Sequence, residues 1–182
     1  MISSTRRSVT RLAVGAAVVV TLVGTTGLPA IATYSENGNP TKTFNYRTHG
    51  INPTWVSFYD TGNIRWNQRV GSRIGRSASS GNDATAGSYP DRWYGAYLPR
   101  NSRANRAFTI KMNSGLINQD YTSGQLSTAI PAFITHELGH ALSLGHPPSN
   151  RDLDSIMDPP DVNSLRILLP TAYDISEVAR IY

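Results

Sequence analysis

The sequence contains no cysteine among its 182 residues. An exported domain of this size could have used disulfide bonds for stability, so here the stability must come from the hydrophobic core and from any bound metal. The absence of thiolates also excludes a cysteine-ligated zinc site. Any zinc centre in this chain therefore has to be built from other ligands, such as histidine and carboxylate side chains.

Long apolar runs are scarce as well, and the one near the N-terminus is typical of an export signal. Residues 12–28 are mostly apolar, but Thr and Gly interrupt them. They fall at or below the roughly 20 residues that a membrane span needs. Three arginines precede them, and residues 30–32 follow as an A-x-A cleavage pattern. We predict a signal peptide over residues 1–32, cleaved after Ala32, and a secreted, extracellular protein. The alternatives are a retained membrane anchor and, for the export route, the twin-arginine pathway.

Acidic residues are few, with 12 Asp and Glu against 17 Lys and Arg. Three of the basic residues lie in residues 1–32, which leaves 14 basic residues against the 12 acids. The excess of basic residues, and the high isoelectric point of the whole chain that follows from it, are therefore largely due to the predicted signal peptide. Residues 65–106 still carry eight arginines against Asp83 and Asp91. Such a stripe could bind nucleic acid or an anionic cell wall, but dispersed arginines more often form a solvated surface, and we predict no nucleic-acid partner.

Three of the four histidines lie within eleven residues that read H-E-L-G-H-A-L-S-L-G-H, from His136 to His146. On a helix, residues four apart lie on one face, so His136 and His140 can bind one ion with Glu137 beside them. His146 would supply a third imidazole. A Zn²⁺ held in this way keeps a position for water and lowers the pKa of that water toward about 7, so that a carboxylate can take its proton. The motif predicts one catalytic zinc ion and hydrolytic chemistry.

Two features further along the chain extend this motif. Met157 stands eleven residues beyond His146, and residues 173–182 have the pattern of a final helix. With these features, residues 105–182 resemble the metzincin zinc metallopeptidases, and in particular their matrixin-like secreted, bacterial-type members. The resemblance implies that Met157 packs beneath the metal ligands.

Ser143 departs from the pattern of the resembled family, which has a glycine at this place; the glycine of this chain follows at Gly145. A glycine there ends the helix in a left-handed conformation and directs the chain toward the third ligand. A residue with a side chain adopts that conformation at a cost of about 1 kcal/mol. Either Ser143 adopts it, or Gly145 makes the turn instead.

The resemblance also implies a fold and an activity. The fold is α+β, with a twisted mixed β-sheet packed on the active-site helix and a small irregular C-terminal subdomain ending in a helix. The activity is that of a secreted zinc endopeptidase, with Glu137 as general base on the zinc-activated water. The expected substrate is a protein or peptide, and the chain is expected to be a monomer without stable membrane association after signal cleavage. Residues 33–40 are predicted to be a flexible leader and residues 41–182 the catalytic domain.

Two other functions stay open on the sequence. The first is a zinc-dependent cell-wall amide hydrolase, which the arginine-rich stretch would suit. The second is a non-catalytic secreted binding module with a structural zinc. Structural zinc sites usually fill all four positions with protein ligands, and the sequence has no cysteine and no fourth well-placed histidine, which makes the second alternative the weaker one.

One candidate for substrate binding comes from a strand pattern. Residues 107–112 alternate as expected for a strand just before the metal motif, with Phe108 and Ile110 on one face. An exposed sheet edge at this place could pair with an extended peptide through main-chain hydrogen bonds. An ordinary buried strand is the alternative.

Other candidates come from the resemblance. In the resembled family, the segment after the methionine turn forms a wall of the pocket for the residue that follows the cut bond. This implicates residues 158–172, and Pro159 and Pro160 among them, as a specificity segment. Tyr173 is a further candidate for contact with the substrate.

Strands and loops elsewhere follow from local composition. Residues 42–46 and 93–98 predict strands. Residues 71–91 are rich in Gly, Ser, Asn and Asp, which predicts a loop around at most a short strand. Asp83 and Asp91 in this loop are candidate ligands of a structural Ca²⁺, although such carboxylates more often form turns.

The helices are less sharply bounded. Residues 52–70 predict either one kinked helix or a strand followed by a short helix, because Gly62 interrupts the apolar spacing. The metal-binding helix is predicted to run from about Pro131 to Leu144, with Ser127 as a plausible N-cap.

Overall fold

The computed structural model describes residues 34–148, 154–159 and 165–182. The predicted signal peptide lies outside these ranges. Within them, no helix is both long and apolar enough to cross a membrane. The elements in chain order are β1 (Thr43–Thr48), α1 (Pro53–Val70), β2 (Arg73–Arg76), β3 (Asp83–Gly87), β4 (Gly95–Arg100), a 3₁₀ turn (Arg103–Asn105), β5 (Ala107–Asn113), α2 (Ser114–Asp120), α3 (Ser123–Ala141) and α4 (Ala172–Ile181).

The strands form one mixed sheet in the order β2-β1-β3-β5-β4. The first four strands in this order are parallel, and β4 pairs antiparallel with β5. Helices α1 and α3 pack against each other, and α3 also packs against β4 and β5. The predicted α+β class with a mixed sheet on the metal-binding helix is confirmed. Strand β4 is an edge strand of this sheet, and it is the edge that lies along α3.

Helix α1 is continuous, which resolves the alternatives for residues 52–70. Asn52 caps its first turn through a side-chain hydrogen bond, and Gly71 ends it with a φ of 62°, a left-handed conformation that favours glycine. Gly62 lies where α1 meets α3, and a Cβ at this position would come within 2.7 Å of Ile134. The glycine thus permits the close approach of the two helices.

Strand β3 contradicts the loop expected over residues 71–91. It pairs with β1 on one side and β5 on the other, and its residue Ala84 is completely buried. The sequence of the strand, Asp-Ala-Thr-Ala-Gly, has little preference for extended structure. The segment therefore forms a strand because it pairs with a strand on each side and is partly buried, and not because its residues favour extended structure.

Helix α3 begins earlier than predicted, so that Ser127 is not its N-cap and Pro131 lies inside it. The N-cap is Thr122, which forms a capping box with Gln125. Most of the second half of the helix is buried. A helix that is apolar nearly all round belongs in the interior of a domain, and α3 accordingly carries its metal-binding residues into the core.

The arginine-rich stretch is used largely within the domain. Arg76 donates two hydrogen bonds to the carboxylate of Asp60, at 2.7 and 3.1 Å. Arg103 donates to the backbone carbonyl of Gly38, and Arg106 to that of Glu36. These side chains hold loops and the N-terminal segment in place, which gives part of the stretch a structural use.

Candidate metal centre

The three histidines of the motif converge on one point. His136 and His140 lie one turn apart on α3, and His146 follows the end of that helix. One ring nitrogen from each residue lies within 4.8 Å of the others. The Nε2 atoms of His136 and His146 are 3.2 Å apart. Among the described residues, no other cluster of histidine and carboxylate side chains has such a geometry.

Hydrogen bonds to the backbone fix the tautomers of two of these rings. Nδ1 of His136 lies 2.8 Å from the carbonyl oxygen of Ile156, and Nδ1 of His140 lies 2.9 Å from that of Leu144. Because a carbonyl oxygen only accepts, each Nδ1 carries the proton and each Nε2 keeps a free lone pair. Such second-shell bonds are typical of metal-ligating histidines.

The separation of the lone pairs also fits a metal. Two nitrogen ligands of a tetrahedral zinc stand about 3.3 Å apart, because each lies about 2.0–2.1 Å from the ion. The 3.2 Å between Nε2 of His136 and Nε2 of His146 agrees with this. Two neutral imidazoles facing each other at such a distance need a cation or a shared proton between them. The donor set therefore fits zinc, with His140 as the third ligand.

The three imidazoles are held neutral, as metal ligands must be. Burial lowers the pKa of His136 to about 3 and that of His140 to about 4. The pKa of His146 is also lowered by burial. At neutral pH the site consequently offers three lone pairs and no positive charge of its own.

Met157 packs against α3 at Gly139 and is only 1% exposed. A Cβ on Gly139 would come within 2.2 Å of the Met157 sulfur. The turn around Met157 is held by Asp174, whose carboxylate accepts hydrogen bonds from the Ser155 hydroxyl and the Ile156 amide. Asp174 is itself 1% exposed and caps the start of α4. Through the Ile156 carbonyl, this network reaches the ring of His136.

Substituting Gly139 with alanine tests the contact between helix and turn. The added methyl group overlaps the Met157 sulfur, so the turn must shift or the helix must move. We expect Gly139→Ala to lower the free energy of unfolding by about 1–3 kcal/mol, the usual cost of overpacking a core, and to weaken zinc binding. Urea denaturation and competition with a chelator measure the two effects. Gly124→Ala is the matched control, because a Cβ there has no neighbour within 4 Å. Equal stability of the two variants would contradict the contact.

Ser143 makes the left-handed turn itself, with a φ of 64°. Its hydroxyl is completely buried and accepts a hydrogen bond from Nη1 of Arg103 at 2.5 Å. The same oxygen lies 3.2 Å from the Asn39 carbonyl and 3.1 Å from the hydroxyl of Tyr182. The serine thus joins the N-terminal segment, the C-terminal residue and the loop before β5 at the point where the chain leaves α3. A glycine would make the turn without these bonds.

Residues 34–40, most of the predicted flexible leader, are bound to this turn. The amide of Ser35 donates to the carbonyl of Ser143 at 2.7 Å, and the amide of Asn39 donates to that of Ala141 at 2.9 Å. Asn39 is only 4% exposed. These carbonyls lie at the C-terminal end of α3, where no following turn of helix supplies amide donors. The leader therefore provides the hydrogen-bond donors that the end of the helix lacks. The polar sequence of the segment does not reveal this.

Two variants of Ser143 separate its backbone effect from its side-chain effect. Ser143→Ala loses the hydroxyl bonds and keeps the left-handed strain, while Ser143→Gly loses the bonds and releases the strain. We expect both to be less stable than the parent, and the glycine variant to be the more stable of the two by about 1 kcal/mol. Thermal and urea unfolding of the metal-free proteins measure this order. An alanine variant as stable as the glycine variant would show that position 143 carries no strain.

Glu137 stands at the cleft and is 4% exposed. Burial raises its pKa to about 8, and a backbone hydrogen bond at Tyr97 opposes the rise. A cation bound at the three histidines would also favour the ionised form. Gly95 of β4 lies against it, since a Cβ at that position would be 2.6 Å from Oε1. The glycine leaves room for the carboxylate beside the sheet edge.

A cleft of about 490 Å³ opens at this site. Glu137, the three histidines and residues of β4 border it, together with one side of α2 and the segment after Met157. Its lining residues are Arg92, Trp93, Tyr94, Gly95, Ala96, Tyr97, Leu116, Asp120, His136, Glu137, His140, His146 and Pro159.

The predicted substrate contacts are only partly found in this cleft. Pro159 lines it, and Pro160 lies outside the described residues. The side chains of Phe108 and Ile110 are completely buried in the core, and β5 lies between β3 and β4, so it has no free edge for a peptide. Their assignment to substrate is therefore wrong, and the accessible edge belongs to β4. Tyr173 does not line the cleft, and its hydroxyl is buried.

The predicted calcium ligands are not gathered into a site. The carboxylate of Asp83 lies 2.5 Å from Nε of Arg47 and 3.6 Å from a guanidinium nitrogen of Arg100. Its charge is thus balanced by two cations. Asp91 borders a groove that adjoins the cleft and shares Arg92, Leu116 and Asp120 with it, and calcium binding stays a prediction. His49 is exposed and is not part of the metal cluster.

The cleft also contains residues that the sequence analysis missed. Gly95 and Tyr97 come from β4, Tyr94 directly precedes that strand, and Leu116 and Asp120 come from α2, a helix that was not predicted. A signal for the strand residues was present in Trp-Tyr-Gly-Ala-Tyr, where a glycine interrupts an aromatic strand pattern. Such a glycine indicates close approach of another group, here Glu137.

No protein-family model matches this sequence, and no curated protein matches it. Solved structures do match. Archaemetzincin from Methanopyrus kandleri is 13% identical with a TM-score of 0.50, over 85% of this chain and 98% of that one. Myroilysin is 14% identical with a TM-score of 0.54, over 84% of this chain and 97% of that one.

A chain of the GM1-bound ECX AB5 holotoxin also matches, with 16% identity and a TM-score of 0.58, over 81% of this chain and 83% of that one. At such identities, the similarity shows the fold alone. The fold is metzincin-like: a mixed sheet packed on a helix that carries two histidines of a three-histidine cluster.

Proposed function

We propose that this chain is a secreted zinc-dependent endopeptidase of the matrixin-like kind. One observation carries the proposal: three neutral imidazoles with converging lone pairs stand next to a buried carboxylate in an open cleft. Three protein ligands leave a position for water, which distinguishes catalytic zinc sites from structural ones.

The residues have separate roles in this proposal. His136, His140 and His146 would hold the zinc, which supplies Lewis acidity and a lowered pKa for water in its open position. Glu137 accepts a proton from the attacking water and then donates it to the departing amine. Glu137 lies in the same cleft as the three histidines, so that one carboxylate is placed for both transfers.

Strand β4 supports a peptide as the substrate. Its edge runs along the cleft, and Gly95 and Tyr97 of this strand adjoin Glu137. An extended peptide that adds to such an edge is held by main-chain hydrogen bonds whatever its sequence. A peptide bound there is held alongside the metal centre. We therefore assign to the edge of β4 the peptide-pairing role that the sequence suggested for residues 107–112.

Cleavage of a peptide library by the zinc-loaded protein tests the function. We expect cleavage that stops when a chelator removes the metal and returns with zinc. Purified peptidoglycan is the second substrate. It tests the alternative function of a cell-wall amide hydrolase, which the arginine-rich stretch would suit. If the protein released fragments from peptidoglycan but cleaved no peptides, it would be a cell-wall hydrolase and not an endopeptidase. If it hydrolysed neither substrate, the zinc site would be structural.

A further inference from the structure

Part of the cleft is lined by Tyr94, which precedes β4, and by Leu116 and Asp120 of α2, none of which takes part in the proposed chemistry. Phe133 lies one helical turn before Glu137 and therefore on the same face of α3. The ring of Tyr94 stacks on that of Phe133, with centroids 4.8 Å apart and an angle of 8° between the planes. Leu116 lines the same part of the cleft. Tyr94 and Leu116 thus give this part of the cleft an apolar wall, with Phe133 packed against Tyr94.

A carboxylate stands at the end of this wall. Asp120 lines the cleft, and its Oδ2 accepts a hydrogen bond from the hydroxyl of Tyr94 at 2.9 Å. The bond fixes the position of the carboxylate and occupies one of its two oxygens. An apolar wall beside a fixed negative charge is complementary to a long aliphatic side chain with a cation at its tip.

Apart from the hydrogen bond from Tyr94, the charge of Asp120 has no partner among the described side chains. It is the last residue of α2, and a negative charge is unfavourable at the C-terminal end of a helix. In the part of the chain that the structure describes, no cation forms a salt bridge with it. Arg92 lines the same cleft, but its side chain is exposed and makes no such bridge. An acid that breaks a local rule in this way points to a ligand.

We propose that Asp120 makes this part of the cleft a subsite for a lysine or arginine side chain of the substrate, close to the bond that is cut. The proposal rests on the proposed peptidase function and names its substrate class. The aliphatic stem of the basic residue packs on Tyr94 and Leu116, and its cation binds the free oxygen of Asp120. Recognition of this kind weakens as salt is added, because the pair is partly exposed.

Cleavage-site profiling on a peptide library is the test, followed by two peptides that differ only in lysine or norleucine at the selected position. For the parent protein we expect basic residues at one fixed position relative to the cut, and kcat/KM about tenfold higher for lysine than for norleucine. Asp120→Asn should bring the ratio of the two kcat/KM values, lysine over norleucine, close to one. Asp120→Lys should favour an acidic residue at that position.

The control variant is Asp91→Asn, which removes an equal charge nearby but borders the adjoining groove and not the cleft. It should leave the lysine preference unchanged. Cleavage without a basic preference, or an equal loss of preference in the two variants, would overturn the subsite while leaving the peptidase function intact. No cleavage of any peptide by the zinc-loaded parent would overturn the proposed function, and the subsite with it.

Discussion

Glu137→Gln is expected to bind zinc as the parent does and to cleave peptides about 10²- to 10⁴-fold more slowly, which is the usual contribution of a general acid–base group. The amide has the size of the carboxylate, so the contact with Gly95 and the packing of α3 are preserved. It cannot accept the proton of the attacking water. Turnover of a quenched peptide and zinc content after dialysis measure the two properties on one preparation.

Glu36→Gln is the control for this experiment, because Glu36 is exposed and its side chain lies away from the cleft. It should cleave at the parent rate. A Glu137→Gln variant with full activity would remove Glu137 from the chemistry, and a variant that loses its zinc would show that the carboxylate supports the metal site instead. The two failures are separate because activity and metal content are measured independently.

The metal ligands could be predicted from the sequence because their arrangement is mainly local. A spacing of four residues places His136 and His140 on one face of any helix, whatever surrounds it. The position of His146 depends on the turn after that helix, and here the sequence left two alternatives. The structure selects Ser143, whose buried hydroxyl is bound by groups far away in the chain, among them Arg103 and Tyr182. No local pattern contains that information.

The substrate side of the cleft could not be predicted, because it depends on the order of strands in the sheet. An alternating pattern shows that residues 107–112 form a strand, but not whether that strand lies at an edge. Strand β3 decides the order, and its small residues carry no strand pattern of their own. Because β3 pairs with β5 on one side and β4 pairs with it on the other, β5 has no free edge, and β4 is the edge strand. Phe108 and Ile110 of β5 belong to the core.

Removing one ligand should abolish both metal binding and cleavage. His136→Ala deletes an Nε2 donor and also leaves the buried carbonyl of Ile156 without its hydrogen bond. Loss of a second-shell partner alone usually weakens metal binding 10- to 100-fold, so loss of ligand and partner together should exceed about 100-fold. Competition with a chelator measures the affinity, and peptide turnover at fixed zinc measures the activity.

Zinc-dependent stability separates the loss of a ligand from simple unfolding. A ligand present at 1,000 times its dissociation constant stabilises the folded state by about 4 kcal/mol. The parent should therefore gain stability when zinc is added, and His136→Ala should gain almost none. His49→Ala, which removes an exposed histidine outside the cluster, should behave as the parent. If His136→Ala kept the full gain, zinc would bind elsewhere, and the three-histidine cluster would not be the metal centre.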